Sequence, residues 1–203
     1  MSEFNNEYFF LLLPEDECLP CLMPDKETAK KPYESEASNG KKPLIFYNGA
    51  SEMQKEKEIS LIRPLPDVLF NGSYPVVCDR IVYELREFKI PNLAFQSAVF
   101  IDNEGAWHEN YWFLTFTAEF DCWDRKTSAF DPVPFNKKPP LYSVYTYSLN
   151  EKLLLSTLLS ERRLFKMGGT QDGFIVAHKS VVPLFRIKGV DVVPISDYGV
   201  SYP

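Results

Sequence analysis

The sequence predicts an α+β fold, mostly antiparallel sheet with two or three packed helices, in a single domain spanning residues 1–203. Three observations predict it. Short apolar or alternating runs bounded by turn residues outnumber stretches of helical period. The two kinds do not alternate regularly, as parallel βαβ units require. The composition is 45% hydrophobic and 25% charged over 203 residues, enough chain to bury a core without a disulfide or metal staple.

Residues 7–13 (E-Y-F-F-L-L-L) read as a buried strand stopped by Pro14. Residues 14–43 are rich in Pro, Glu and Lys with weak periodicity, and read as a long mobile connection with room for one short strand. Residues 43–48 form a strand closed by Asn48-Gly49; the charged segment 52–58 reads as a surface loop leading into extended chain at 61–64. The firmest helix is predicted over 75–91. There Val77, Ile81, Leu85 and Phe88 form one stripe, Ser73 caps, Pro75 takes the first turn and Pro91 ends it. Residues 92–101 and 111–123 read as two strands joined around Asp102-Asn103-Glu104-Gly105. The second alternates, with Trp112, Leu114, Phe116, Ala118, Phe120 and Cys122 on the core face and the other face turning from aromatic to acidic. Residues 131–140 hold too many prolines for a ladder and read as a loop. After it come a strand at 141–149, a helix at 149–160, strands at 163–167 and 173–178, a short helix interrupted near Pro183, and a last strand at 190–195.

Charge is segregated along this order. Residues 1–27 carry −6, residues 28–89 carry +1 and residues 125–203 carry +5. Residues 90–124 contain no Lys or Arg and six acids: Asp102, Glu104, Glu109, Glu119, Asp121 and Asp124. One reading pairs these acids with bases from the C-terminal part. The other leaves an acidic face that draws in a basic partner and speeds association. Trp107, Tyr111, Trp112 and Trp123 gather beside the acids, and rings plus carboxylates are the ingredients of a protein interface, although each ring serves equally well as core. The residues that fit the interface reading are Glu104, Trp107, Glu109, Glu119, Asp121, Trp123 and Asp124.

Other chemistry is weakly written. A net charge of −6 argues against nucleic acid as the ligand, because phosphate binding needs a basic face. No apolar run approaches the length that spans a bilayer, and the acidic start lacks the basic region of a secretory signal, so a cytoplasmic protein without a membrane partner is expected. Cys18-Leu19-Pro20-Cys21 has redox spacing, but no amphipathic helix opens after it, and Asp16 and Glu17 disfavour the thiolate. As half of a zinc site it lacks a second pair of ligands, since Cys78 and Cys122 fall at apolar positions. No metal or cofactor is expected. His108 and His178 show no spacing that suggests a triad, and Gly168-Gly169-Thr170 reads as a turn. Asp121 and Asp124 ordinarily cap a turn. As an acid and base, or as Mg²⁺ ligands, they define the rival reading of a small hydrolase or glycosidase.

Two segments resemble a known group. Residues 111–114 (Y-W-F-L) lead to D-C-W-D-R-K-T-S at 121–128. This resembles bacterial polymorphic-toxin immunity proteins, in which an aromatic strand runs into a D-x-x-D turn followed shortly by Ser. Residues 149–159, E-R-R-L-F-K-M at 161–167, F-I-V-A-H-K-S at 174–180 and G-V-D-V-V-P-I at 189–195 are similar to the ending of the immunity families numbered forty-three and eleven. The resemblance covers residues 75–195. It implies no catalytic residues and no cofactor, but a cytoplasmic antidote that binds a cognate toxin and occludes it, a basic nuclease-like toxin suiting the acidic charge. A non-catalytic adaptor for a constitutive partner is the remaining alternative.

Overall fold

The longest alternating segments, residues 93–101 and 107–116, pair as the longest hairpin of the molecule, and the rest is arranged around it. The computed structural model describes residues 2–36 and 42–199. In chain order the strands are β1 (Tyr8–Leu12), β2 (Leu22–Pro24), β3 (Leu44–Asn48), β4 (Val68–Asn71), β5 (Tyr74–Cys78), β6 (Leu93–Ile101), β7 (Trp107–Phe116) and β8 (Glu119–Phe120). They continue as β9 (Ala129–Phe130), β10 (Asn136–Lys137), β11 (Pro140–Leu141), β12 (Val144–Thr146), β13 (Leu164–Met167), β14 (Ile175–His178) and β15 (Asp191–Pro194). Three α-helices accompany them: α1 (Ser51–Glu56), α2 (Asp79–Glu87) and α3 (Glu151–Ser156). The fold is α+β, with mostly antiparallel sheets.

The first sheet has the order β2-β3-β6-β7-β5-β4 and is antiparallel except between β3 and β6. Its two outer strands meet. Cys21 bridges Phe70, and the Asn71 side-chain amide donates to the Leu22 carbonyl at 2.9 Å, so the sheet curls into a closed barrel with no free edge there. Phe46, Phe113, Tyr74 and Tyr33 fill the interior, with the Phe46 and Phe113 rings stacked at 6.0 Å and Tyr33 edge-on to Phe113 at 5.0 Å. Burial pushes the Tyr33 hydroxyl pKa up to about 12. Part of the outer surface is covered by α2, which turns Ile81, Val82 and Leu85 inward.

The second sheet has the order β15-β1-β14-β13-β8. Both of its faces are buried, because its strands alternate between two cores. Phe9, Leu11, Ile175 and Ala177 join the barrel and α2 in one core. Tyr8, Phe10, Val176 and Phe165 join a second, made with Cys122, Trp123, Tyr147 and Leu149 from the layer that follows β8. The layers therefore run barrel, second sheet, then residues 120–155.

Five sequence expectations need correction. The helix expected over 75–91 starts only at Asp79. Residues 74–78 are all buried and pair with both β4 and β7, so Pro75 sits in a strand, and Ser73 belongs to the turn in which Gly72 has φ +57°. An unbroken apolar run fits a strand buried on both faces as well as it fits a helix stripe, and tertiary pairing decided it. The charged segment 52–58 is not a loop; α1 occupies it. The strand expected over 111–123 ends at Phe116, after which the Thr117 amide donates to the Asn92 carbonyl and the chain crosses to the second sheet as β8. Residues 131–140 include β10 and part of a small hairpin with β11. Residues 14–36 are packed, with Leu19, Leu22, Thr28 and Tyr33 buried and β2 closing the barrel; positions 37–41 of the expected mobile connection lie outside the described residues.

Candidate protein-binding face

The turn between β6 and β7 is built on one carboxylate. The Asp102 side chain is fully buried; one oxygen accepts from Arg63 Nη2 at 2.5 Å and His108 Nε2 at 2.8 Å, the other from the Glu104 and Ala106 amides at 2.9 Å each. Burial opposes the charge, but these bonds, from His108 and Arg63 first, outweigh it and hold the carboxyl well below the usual range. His108 Nε2 accordingly carries the proton that faces Asp102, and its ring stacks on Phe100. Gly105, at φ +81°, closes the turn. A rigid turn results, with Glu104 and Trp107 displayed on it.

A second network ties that turn to its neighbours. The Gln54 side chain on α1 is buried, and its amide donates to the carbonyls of Glu17 at 2.7 Å and Leu19 at 3.2 Å. Its oxygen accepts from Asn48 at 2.8 Å and from Asn103 at 3.1 Å. Asn48, at the end of β3, also accepts from the Cys21 and Ala50 amides. The loop before β2, the end of β3, α1 and the β6–β7 turn are thereby fixed to one another by satisfied buried amides.

Across this fixed end runs a row of apolar side chains. Register pairs Met23 with Tyr47, Tyr47 with Ile101, and Ile101 with Trp107, so all four share the outer face of the barrel. Met23 is 55% exposed, Tyr47 48% and Trp107 59%. Glu52, Glu104 and Glu109 are exposed around the row, and a shallow depression beside it is lined by Tyr47, Glu52, Ile101 and Asn103. Among the described residues Glu109 has no ion pair, while Glu104 reaches Arg63 only at 3.4 Å with 80% of its side chain in solvent. Exposed rings side by side with unspent carboxylates are what a protein interface presents.

The structure divides the sequence-expected site. Glu104, Trp107 and Glu109 lie on this face. Glu119, Asp121, Trp123 and Asp124 lie beyond the other end of β7, about 30 Å away at the usual strand rise. Two of the three carboxylates are already paired with bases, and the third caps a turn. Glu119 pairs with Lys166 at 2.8 Å, Asp121 with both Arg125 nitrogens, and Asp124 accepts from the Lys126 amide at 2.8 Å as a turn cap. Trp123 is 1% exposed, ringed by Phe130, Tyr142 and Tyr147 with Arg125 over it at 3.9 Å. Its assignment as an interface anchor is therefore corrected: it is a core residue. The pairing of acids with C-terminal bases holds for Glu119 and Asp121, whereas Asp102 and Glu104 take Arg63 instead.

Met23 and Tyr47 escaped the sequence reading. Tyr47 read only as the last apolar residue of a strand, and its same-face relation to Met23 is one that only strand pairing creates. Cys78 and Cys122 are buried as expected, burial pushing both thiols up, and Cys18 and Cys21 are free. His178 has partners that spacing did not suggest: its Nδ1 lies 2.9 Å from Ser180 Oγ and its Nε2 lies 3.8 Å from Glu7. The amides of residues 179–181 are all taken, by the Glu7 carbonyl, by His178 Nδ1 and by the His178 carbonyl, so this turn offers no donor to an oxyanion and acts as a strand cap. Among the described residues no group of three or more His, Cys, Asp or Glu is placed to hold a metal, and no helix is long and apolar enough to cross a membrane.

No protein-family model matches the chain, and no curated protein matches it.

Proposed function

We propose that the chain is an immunity protein, which binds a cognate secreted bacterial toxin in the cytoplasm and neutralises it by stoichiometric occlusion. The observation that carries the reading is the exposure of Met23, Tyr47 and Trp107 around the buried Ile101 on one barrel end, rimmed by Glu52, Glu104 and Glu109. Rings on a preorganised surface give up little conformational entropy on binding, and the carboxylates steer a basic partner into register. The resemblance of residues 75–195 to immunity families supports the same role. The partner is a basic, nuclease-like toxin domain, bound as protein; the chain itself makes and breaks no covalent bond, takes no cofactor, and contacts neither nucleic acid nor membrane.

The test is co-purification with the product of the adjacent gene, with rescue of growth in cells expressing that product. The native chain should co-purify and rescue. A W107A/E104K/E109K variant should fold and do neither. Rescue undiminished in that variant would move the interface elsewhere, and an adjacent product that is neither toxic nor bound would end the immunity reading.

A further inference from the structure

A second exposed apolar element stands in the layer on the far side of the second sheet from the barrel. Its base is pinned by the Asp131 amide donating to the Ser143 carbonyl at 2.9 Å and the Tyr142 amide donating to the Gly169 carbonyl at 3.2 Å. Beyond that base β10 and β11 pair only with each other. Val133 is 71% exposed and Phe135 76%, the highest exposures among the large hydrophobic side chains described. Lys137 and Lys138 beside them are exposed and, among the described residues, have no ion pair. Pro132, Pro134, Pro139 and Pro140 stiffen the arm, so holding it ready for contact costs little further entropy.

The chemistry that suits this arm is an apolar surface rimmed by carboxylates, and the molecule carries one. We propose that the 132–141 hairpin docks, Phe135 foremost, on the Trp107 face of a second copy of this chain, in a reciprocal two-fold dimer. Phe135 and Val133 lie against Met23, Tyr47 and Trp107, while Lys137 and Lys138 meet Glu104 and Glu109. Under a two-fold axis the arm of each copy meets the face of the other, so both contacts form together and the assembly closes instead of growing into a filament. An aromatic side chain offers about 150–250 Å². At the exposures of Phe135, Tyr47 and Trp107, with Met23 and Val133 added, two reciprocal contacts bury about 1,000 Å², the lower limit for a specific interface. The dimer is therefore weak and concentration-dependent. It uses the face assigned to the toxin, so dimerisation and toxin binding exclude each other; it needs no toxin, so its failure leaves the proposed function standing.

Sedimentation of the pure full-length chain across a concentration series, at low and high salt, tests it. The native chain should show a monomer–dimer equilibrium that salt weakens. F135S should weaken dimerisation by about tenfold or more, as loss of an aromatic anchor does. K137E/K138E and E104K/E109K should each weaken it, and the four reversals combined should restore it. All these positions are exposed, so folding is unaffected and thermal unfolding verifies it. A native chain monomeric at every concentration, a dimer indifferent to F135S, or a quadruple variant that stays as weak as its parents would each overturn the proposal.

Discussion

The tip of the β6–β7 hairpin and the turn after β8 have the same ingredients, two or more carboxylates beside a tryptophan, and the fold puts them to opposite uses. At the tip, Trp107 stands outward with Glu104 and Glu109 in solvent. After β8, Trp123 is sealed into a core and Asp121 is clamped by Arg125 four residues on. The difference lies in where the nearest base falls in the chain. Residues 90–124 hold no Lys or Arg, so the tip draws on Arg63, which Asp102 largely occupies, and the outer carboxylates are left in solvent. An acidic aromatic cluster stays exposed when the local chain withholds its counter-charge.

The comparison breaks most visibly at the two tryptophans. W123A should lower unfolding free energy by about 3–5 kcal/mol, because it empties a closed aromatic core. W107A should cost less than about 0.5 kcal/mol. Equal losses in denaturant titrations would mean that Trp107 is also structural. Next comes D102N, which keeps the shape of the turn but loses its charge-assisted bonds and should cost about 2 kcal/mol at neutral pH. The folded carboxyl lies below its unfolded value, so its stabilisation is complete above about pH 4 and fades as the pH falls further. The gap between native chain and D102N should therefore close on acidification, read as converging thermal midpoints. R125A should cost about 0.5–1 kcal/mol, since it removes a partly exposed ion pair and a cation–π contact. The smallest effect on stability, below about 0.5 kcal/mol, should come from E104K/E109K, whose signature is slower association with a basic partner at low salt that salt abolishes.

Much of the fold was legible. β1, β3, β6, β13, β14 and β15 fall where short apolar runs end in turn residues, because burial and turn chemistry are both local signals. The stretch 74–78 was not, because an all-buried strand has no alternation to distinguish it from part of a helix stripe. Part of the exposed acidic and aromatic face was visible in the missing bases of 90–124 and in Trp107. Met23 and Tyr47 were invisible, since their neighbourhood is made by the β2–β3 and β3–β6 registers, which connect residues far apart in the chain. Trp123 misled for the opposite reason: the carboxylates beside it suggested water, but Arg125 and the turn consumed them.

Affinity for the proposed toxin partner, measured side by side for W107A/E104K/E109K and for D121N/D124N, decides between the two regions. The account predicts at least a tenfold loss for the first variant, at about 1.4 kcal/mol per tenfold, and native affinity for the second. Native affinity in the first with loss in the second would contradict it.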